Sequence, residues 1–234
     1  MPKTYSSKLL SQRQVAEGTT EFTLEKPVGS DFAYVAGQFG DIVLPHAADN
    51  TDKMSYTHGF SFVSAPFEER LRMATRMRNS AFKNAIAKLP DGTALEVMAT
   101  WGKFTLHDDA KLPALFIAGG IGVTPALSII QQATHDKAPH RITLLTSNRS
   151  TAREPYKEEL KALAAQNPRL TLASIHTQAQ GHVTTDAIRK YAPDLAGTMF
   201  YVSGPDAFVK SLRGLLTALG VDRKHIRSEG FEGY

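Results

Sequence analysis

The stretch AGGIGVTP, residues 118–125, leaves an apolar run and enters a helical one, and its residue types suit an anion. Glycines permit close backbone approach, and a helix start offers unpaired N–H groups at the positive end of its dipole. Gly119, Gly120 and Gly122 do not follow the GxGxxG fingerprint, so a plain strand-to-helix turn competes with a phosphate site. Thr124 is expected to cap the helix, with Pro125 at its first position. A second stretch, SGPDAF at 203–208, repeats the arrangement with Asp206 as the expected cap. Two such loops at one sheet edge suit a dinucleotide.

The run RLRMATRMR, residues 70–78, alternates like a strand, with Arg70, Arg72, Arg76 and Arg78 on one face and Leu71, Met73, Thr75 and Met77 on the other. Such an arginine face is ordinarily solvated. Its far end differs, because Arg76 and Arg78 lead into a helix start at Asn79–Phe82, where donors and dipole favour an anion. The segment HGFSFVSAP, residues 58–66, mixes phenylalanines, serines and a histidine on a strand-like pattern. It reads either as a core strand or as the wall of a cofactor site. The eight histidines are scattered and form no metal-binding pair.

These residues need a frame to bring them together. Up to about residue 108 the chain reads as short strands, EFTLEKP, DIVLP, FSFVS, RLRMATRMR, ALEVMA and GKFTL, interrupted by one helix in NSAFKNAIAKLPDG. That grammar predicts an antiparallel barrel or sandwich over residues 1–108. From residue 112 to 234, apolar runs ALFIA, ITLLT, LTLASI, MFYVS and HIRSE alternate with helical stretches. This predicts a doubly wound five-stranded parallel sheet. Ligands in such sheets gather beyond the carboxyl ends of the strands, which singles out Gly119 onward, Thr146 to Arg149, Ser203 to Asp206 and the C-terminal tail.

The composition narrows the chemistry. The 234 residues include no cysteine, so this chain carries no disulfide, thiolate nucleophile or iron–sulfur cluster. Electrons, if any move, need an organic cofactor. The net charge of +4 comes without a long basic run, which disfavours nucleic acid. No apolar stretch approaches the ~20 residues of a membrane span, and a cytoplasmic monomer is the expectation.

The succession of Phe60-Ser61 on a barrel strand, RMRNSAFK, WGKFTL, AGGIGVTP, YVSGPDAF and EGFEGY resembles the ferredoxin–NADP reductase family of flavoproteins over nearly the whole chain. The resemblance implies an N-terminal flavin-binding barrel, a C-terminal nicotinamide-nucleotide domain and hydride transfer between them. The implied cofactors are FAD, rather than FMN, and NADPH or NADH.

Phe60 then corresponds to the aromatic against the flavin ring and Ser61 to the hydroxyl near its reactive nitrogen. Arg76, Ser80, Ala81 and Phe82, with Arg78 beside them, correspond to the segment holding the flavin phosphates. His58 stands where the family usually has an arginine on the phosphate, which predicts flavin affinity rising as pH falls through ~6.5. Gly119, Gly120, Gly122, Val123 and Thr124, with Gly204, Pro205 and Asp206, are expected to line the nicotinamide nucleotide. Thr124, Ser203, in place of the family's frequent cysteine, and Glu229 are expected beside the reacting rings. Tyr234, or Phe231 instead, is expected to cover the flavin. Ser147 is expected on the nicotinamide nucleotide, and Arg149 and Arg153 offer contacts to a 2′-phosphate, favouring NADPH, although SIHTQAQG lacks a further arginine. The implied activity is an NAD(P)H-dependent flavoprotein reductase serving a separate acceptor: a ferredoxin, flavodoxin, oxygenase, haem protein or small molecule. The alternatives are a flavin reductase that releases reduced flavin, and an electron-transfer subunit without turnover of its own.

Overall fold

A computed structural model describes residues 3–27, 31–45 and 56–231. The N-terminal part is an antiparallel sheet of β1 (Thr4–Ala16), β2 (Thr19–Glu25), β3 (Phe39–Val43), β4 (Thr57–Ser61), β5 (Arg70–Arg76) and β6 (Ala94–Trp101), ordered β4-β3-β6-β1-β2-β5. Its two edges meet where Phe62 bridges Met73 and the Val63 amide donates to Arg72 O at 2.7 Å. The inside is filled by Leu9, Phe22, Leu24, Ile42, Phe60, Phe62, Leu71, Met73 and Val97. The short helix α1 (Ala81–Ile86) closes one end with Phe82 and Ile86, and Ser80 caps it by accepting from the Lys83 amide at 3.3 Å.

The predicted barrel is present, with three local corrections. β1, the longest strand at 13 residues, is absent from the sequence reading because TYSSKLLSQRQVA is too polar to advertise itself; only Ser7 and Leu9 are fully buried. FSFVS does not continue as a strand past Ser61, because the chain there leaves β3 to meet β5. GKFTL forms no strand, since Phe104 turns away from the barrel into a core shared with the C-terminal half.

The C-terminal part is a parallel sheet ordered β11-β10-β7-β8-β9, built from β7 (Ala114–Gly119), β8 (Ile142–Asn148), β9 (Leu170–His176), β10 (Met199–Pro205) and β11 (Ile226–Phe231). Helices α2 (Val123–His135) and α3 (Lys157–Gln166) cover one face. The short α4 (Thr177–Gln180) follows β9, while α5 (Thr185–Tyr191) and α6 (Asp206–Ala218) cover the other face through Ile188, Val209 and Leu212. The five predicted runs are the five strands: β7, β8 and β10 are buried along nearly their whole length, as inner strands of a covered parallel sheet are, while the edge strands β9 and β11 are only partly buried. Among the described residues, no helix is long and apolar enough to cross a membrane.

Strand order reverses direction at β7: the chain runs outward through β8 and β9, then returns to β10 on the other side. Loops leaving β7 and β10 therefore part to opposite faces and open a crevice, the usual ligand position in an open α/β sheet.

Candidate functional site

A cleft of about 420 Å³ opens where the barrel meets the carboxyl edge of the parallel sheet. Phe39, His58, Gly59, Phe60, Ser61, Ala74 and Thr75 line it from the barrel. Ile121, Thr124, Glu229, Gly230 and Phe231 line it from the opposite side. Phe60, Ser61, Thr124 and Glu229, expected in chemistry or flavin contact, thus converge on one space together with His58 and Phe231.

Ser61 ends β4, and its hydroxyl donates to Glu229 Oε1 at 2.6 Å. Glu229 lies on β11 beside Ser203 of β10. Burial pushes the Glu229 carboxyl up to about 7, although the Ser61 bond pulls the other way by favouring the charged form. A carboxyl tuned near neutrality holds or yields a proton at physiological pH.

Thr124 departs from the expected cap. A 3₁₀ turn at Gly120–Gly122 precedes α2, so the helix begins at Val123 with Gly122 as its cap residue. Thr124 Oγ1 donates to the Ile121 carbonyl at 3.1 Å, and its buried side chain faces the cleft. Asp206 likewise begins α6 rather than capping it, because Pro205 occupies the cap position. Ser203 is not among the cleft residues. Its buried hydroxyl donates to Gly122 O at 2.7 Å and ties β10 to the turn after β7. This approach needs the glycine, since a Cβ at Gly122 would lie 2.2 Å from Ser203 O. Gly119, Val123, Gly204 and Pro205 stand around the same crevice at the ends of β7 and β10.

His58 stacks on Phe60 with ring centroids 4.7 Å apart and 23° between planes, and Phe82 lies 5.4 Å from the His58 ring. Its Nδ1 donates to Gly59 O at 2.9 Å. Burial lowers the His58 pKa. Arg76 ends β5, and Arg78, Ser80 and Ala81 follow it, exposed, into α1. Tyr234 lies outside the described residues, while Phe231 is at the cleft.

At the far edge, Ser147 is buried and Arg149 exposed beyond it. Arg153 pairs with Glu17 from the β1–β2 turn, its Nε donating at 3.0 Å. Glu154, missed by the sequence reading, is buried across the ends of β8 and β9. It accepts from Ser174, from Thr146 at 2.8 Å and from His176 at 3.2 Å. Burial alone would raise its pKa, yet these bonds hold it below the ordinary value. Nothing in AREPYKEEL distinguishes Glu154 from a helix-start carboxylate.

Residues 116–214 match the oxidoreductase NAD-binding domain. The chain is 26% identical over 222 residues to flavohemoprotein B of Dictyostelium discoideum, covering 85% of this chain and 52% of that protein. It is 27% identical over 244 residues to ferredoxin–NADP reductase B of Sorangium cellulosum, covering 97% of this chain and 98% of the relative. In structure it resembles an Amycolatopsis cytochrome P450 reductase with a TM-score of 0.81 at 19% identity, over 98% of this chain and 70% of the other. The chain spans about half the length of the flavohemoproteins it matches first. In its NAD-binding segment, in sequence along its length and in fold, this chain is similar to the ferredoxin–NADP reductase-like flavoproteins.

Proposed function

We propose that this protein is an NAD(P)H-dependent flavoprotein reductase that uses FAD and passes electrons to a separate acceptor. The carrying observation is the meeting of Ser61, Thr124 and Glu229 in one cleft formed by both halves of the chain. The residues suit a flavin. Phe39, Phe60 and Ala74 offer an apolar wall for a planar ring, and Ser61 and Thr75 supply polar groups. Arg76, Arg78 and Ser80 continue the same strand toward α1 and would hold the phosphates. A flavin bound there supplies the conversion between two-electron and one-electron transfer.

The chain itself contributes position and proton control. Ser61 presents its hydroxyl at the end of a strand whose aromatic neighbour Phe60 is locked between His58 and Phe82. Glu229 keeps a proton available at neutral pH on the opposite wall. The crevice between β7 and β10, lined by Gly119, Gly120, Gly122 and Gly204, receives the nicotinamide nucleotide, with Thr124 at its inner end. Arg149 and Arg153 stand beyond β8 as the cations for a 2′-phosphate, with Arg153 already shared with Glu17.

A spectrum of the purified protein after incubation with FAD, followed by oxidation of NADPH and NADH with ferricyanide, tests this reading. Bound flavin and turnover are expected. Flavin uptake with neither nucleotide oxidised would overturn the enzyme assignment, and turnover only in the presence of excess free flavin would mark a flavin reductase. His58 in place of a phosphate-binding arginine is the feature that favours such looser flavin binding.

A further inference from the structure

One face of α2 carries a polar stripe, Thr124, Ser128, Gln131 and His135, spaced four, three and four residues apart. Polar groups on a buried helix need partners, and this stripe finds them in the barrel segment that continues from Ser61. Thr124 shares the cleft with Ser61. Ser128 Oγ donates to Ser64 O at 2.7 Å and accepts from the Gly37 amide at 3.4 Å. Gln131 Nε2 donates to Val63 O at 3.2 Å, and its Oε1 accepts from Arg72 Nη2 at 3.3 Å. The His135 ring lies flat on Phe67 at 4.0 Å and 9°.

Arg72 extends this seam to the neighbouring helix, since its guanidinium grips Glu159 of α3 through two bonds of 2.7 and 3.1 Å. It also reaches Glu21 at 3.3 Å, and Glu21 is held in turn by Arg13 at 2.7 Å. The arginine face expected to be solvated is exposed at Arg70 and Arg78, whereas Arg72 is sequestered between the two halves of the chain.

The geometry points to a positioning role: Ser128, Gln131, Arg72 and Glu159 fix the register of α2 along residues 61–67 and so set where Thr124 stands opposite Ser61. The inference rests on the proposed reading of the cleft as the place where nucleotide and flavin meet. A helix moves as a rigid rod, and Ser128 and Gln131 lie one and two turns beyond Thr124. Buried hydrogen bonds are costly to leave unmade, so the seam resists sliding or tilting that apolar contacts alone would tolerate. Misplacement by ~1 Å between reacting groups costs on the order of 100-fold in rate.

The absence of cysteine allows a direct test. Spin labels on Lys8→Cys of β1 and Lys210→Cys of α6, both exposed, report the distance between the two halves. The parent should give one narrow distance, and Gln131→Met a shifted or broadened one. In the flavin-loaded protein, Gln131→Met should slow flavin reduction by NAD(P)H at least tenfold while nucleotide Kd and flavin content stay within twofold. Glu159→Gln, which keeps side-chain volume, should show the same pattern and serves if Gln131→Met does not fold. An unchanged distance, or an unchanged reduction rate in a folded variant, would overturn the positioning role and leave the seam merely adhesive. If the parent itself shows no reduction, the functional reading fails separately, and the distances alone decide whether the seam fixes register.

Discussion

The Ser61 hydroxyl donates a 2.6 Å hydrogen bond to Glu229 Oε1, joining the end of a barrel strand to the last strand of the parallel sheet. The bond crosses the cleft, so each residue is part of the other's electrostatic environment.

The first consequence is a dependence of stability on pH. Glu229 titrates near 7 in the folded protein, against 4.5 ordinarily, so the folded state binds more protons than the unfolded one between those values. Stability therefore falls as pH rises through that window and levels off above it, by about 3 kcal/mol at most. Glu229→Gln keeps an acceptor for Ser61 and removes the charge. Thermal unfolding should show it roughly 5 °C more stable than the parent at pH 8.5 and nearly equal at pH 4.5. A gain of the same size at both pH values would mean that carboxylate burial is not its source.

In the proposed reaction the same pair would govern proton control. The Ser61 bond lowers the Glu229 pKa, so Ser61→Ala should move it above its present value of about 7. Flavin reduction by the nicotinamide nucleotide should slow roughly 10- to 100-fold. Its pH profile should shift upward, and nucleotide Kd should stay the same. Stopped-flow reduction across pH 6 to 9 measures all three, and an unshifted profile would separate Ser61 from Glu229.

Much of this architecture was readable in the residues, and what was not has physical causes. The apolar runs of β7, β8 and β10 announced the parallel sheet because these inner strands are buried on both faces, whereas β1 is mostly polar and gains its place by pairing with β2 and β6 rather than by hydrophobicity. Ser61, Thr124 and Glu229 were legible as motif positions. The resemblance implied that they meet at the reacting rings, but not the direct bond from Ser61 to Glu229, which depends on how a barrel strand and a sheet edge meet across 168 positions of chain. Arg72 shows the limit of periodicity, which assigns a face but not what covers it. Glu154 gave no signal, since its partners Thr146, Ser174 and His176 lie on two separate strands.

His58 bears on flavin affinity. Its ring is pinned by Phe60 and by its bond to Gly59, and burial lowers its pKa, so it is neutral at pH 7 to 8. The rise in affinity on acidification should therefore begin below 6.5 rather than at it. His58→Arg restores a permanent charge and should tighten FAD binding about tenfold, the effect of one charge-assisted hydrogen bond. Fluorescence titration of the flavin-free protein at pH 7.5 reads this, and unchanged affinity would show that Arg76 and Arg78 already satisfy the phosphates.

Two glycines of the C-terminal half should respond in opposite directions to alanine. Gly214 sits exposed inside α6, with open space where a Cβ would go, so Gly214→Ala should gain about 1 kcal/mol from helix propensity alone. At Gly122 the added Cβ would meet the Ser203 carbonyl carbon at 2.4 Å and its oxygen at 2.2 Å, both backbone atoms of the inner strand β10. Gly122→Ala must push the turn away from β10 and break the Ser203 bond, an overpacking cost of roughly 1 to 3 kcal/mol with a buried hydroxyl left unpaired. Because that turn opens the crevice, nucleotide affinity should fall with stability while FAD binding to the barrel persists. Calorimetric titration with NADPH and NADH, set beside thermal unfolding of both variants, measures this. Unimpaired nucleotide binding in Gly122→Ala would move the nucleotide site away from the crevice between β7 and β10.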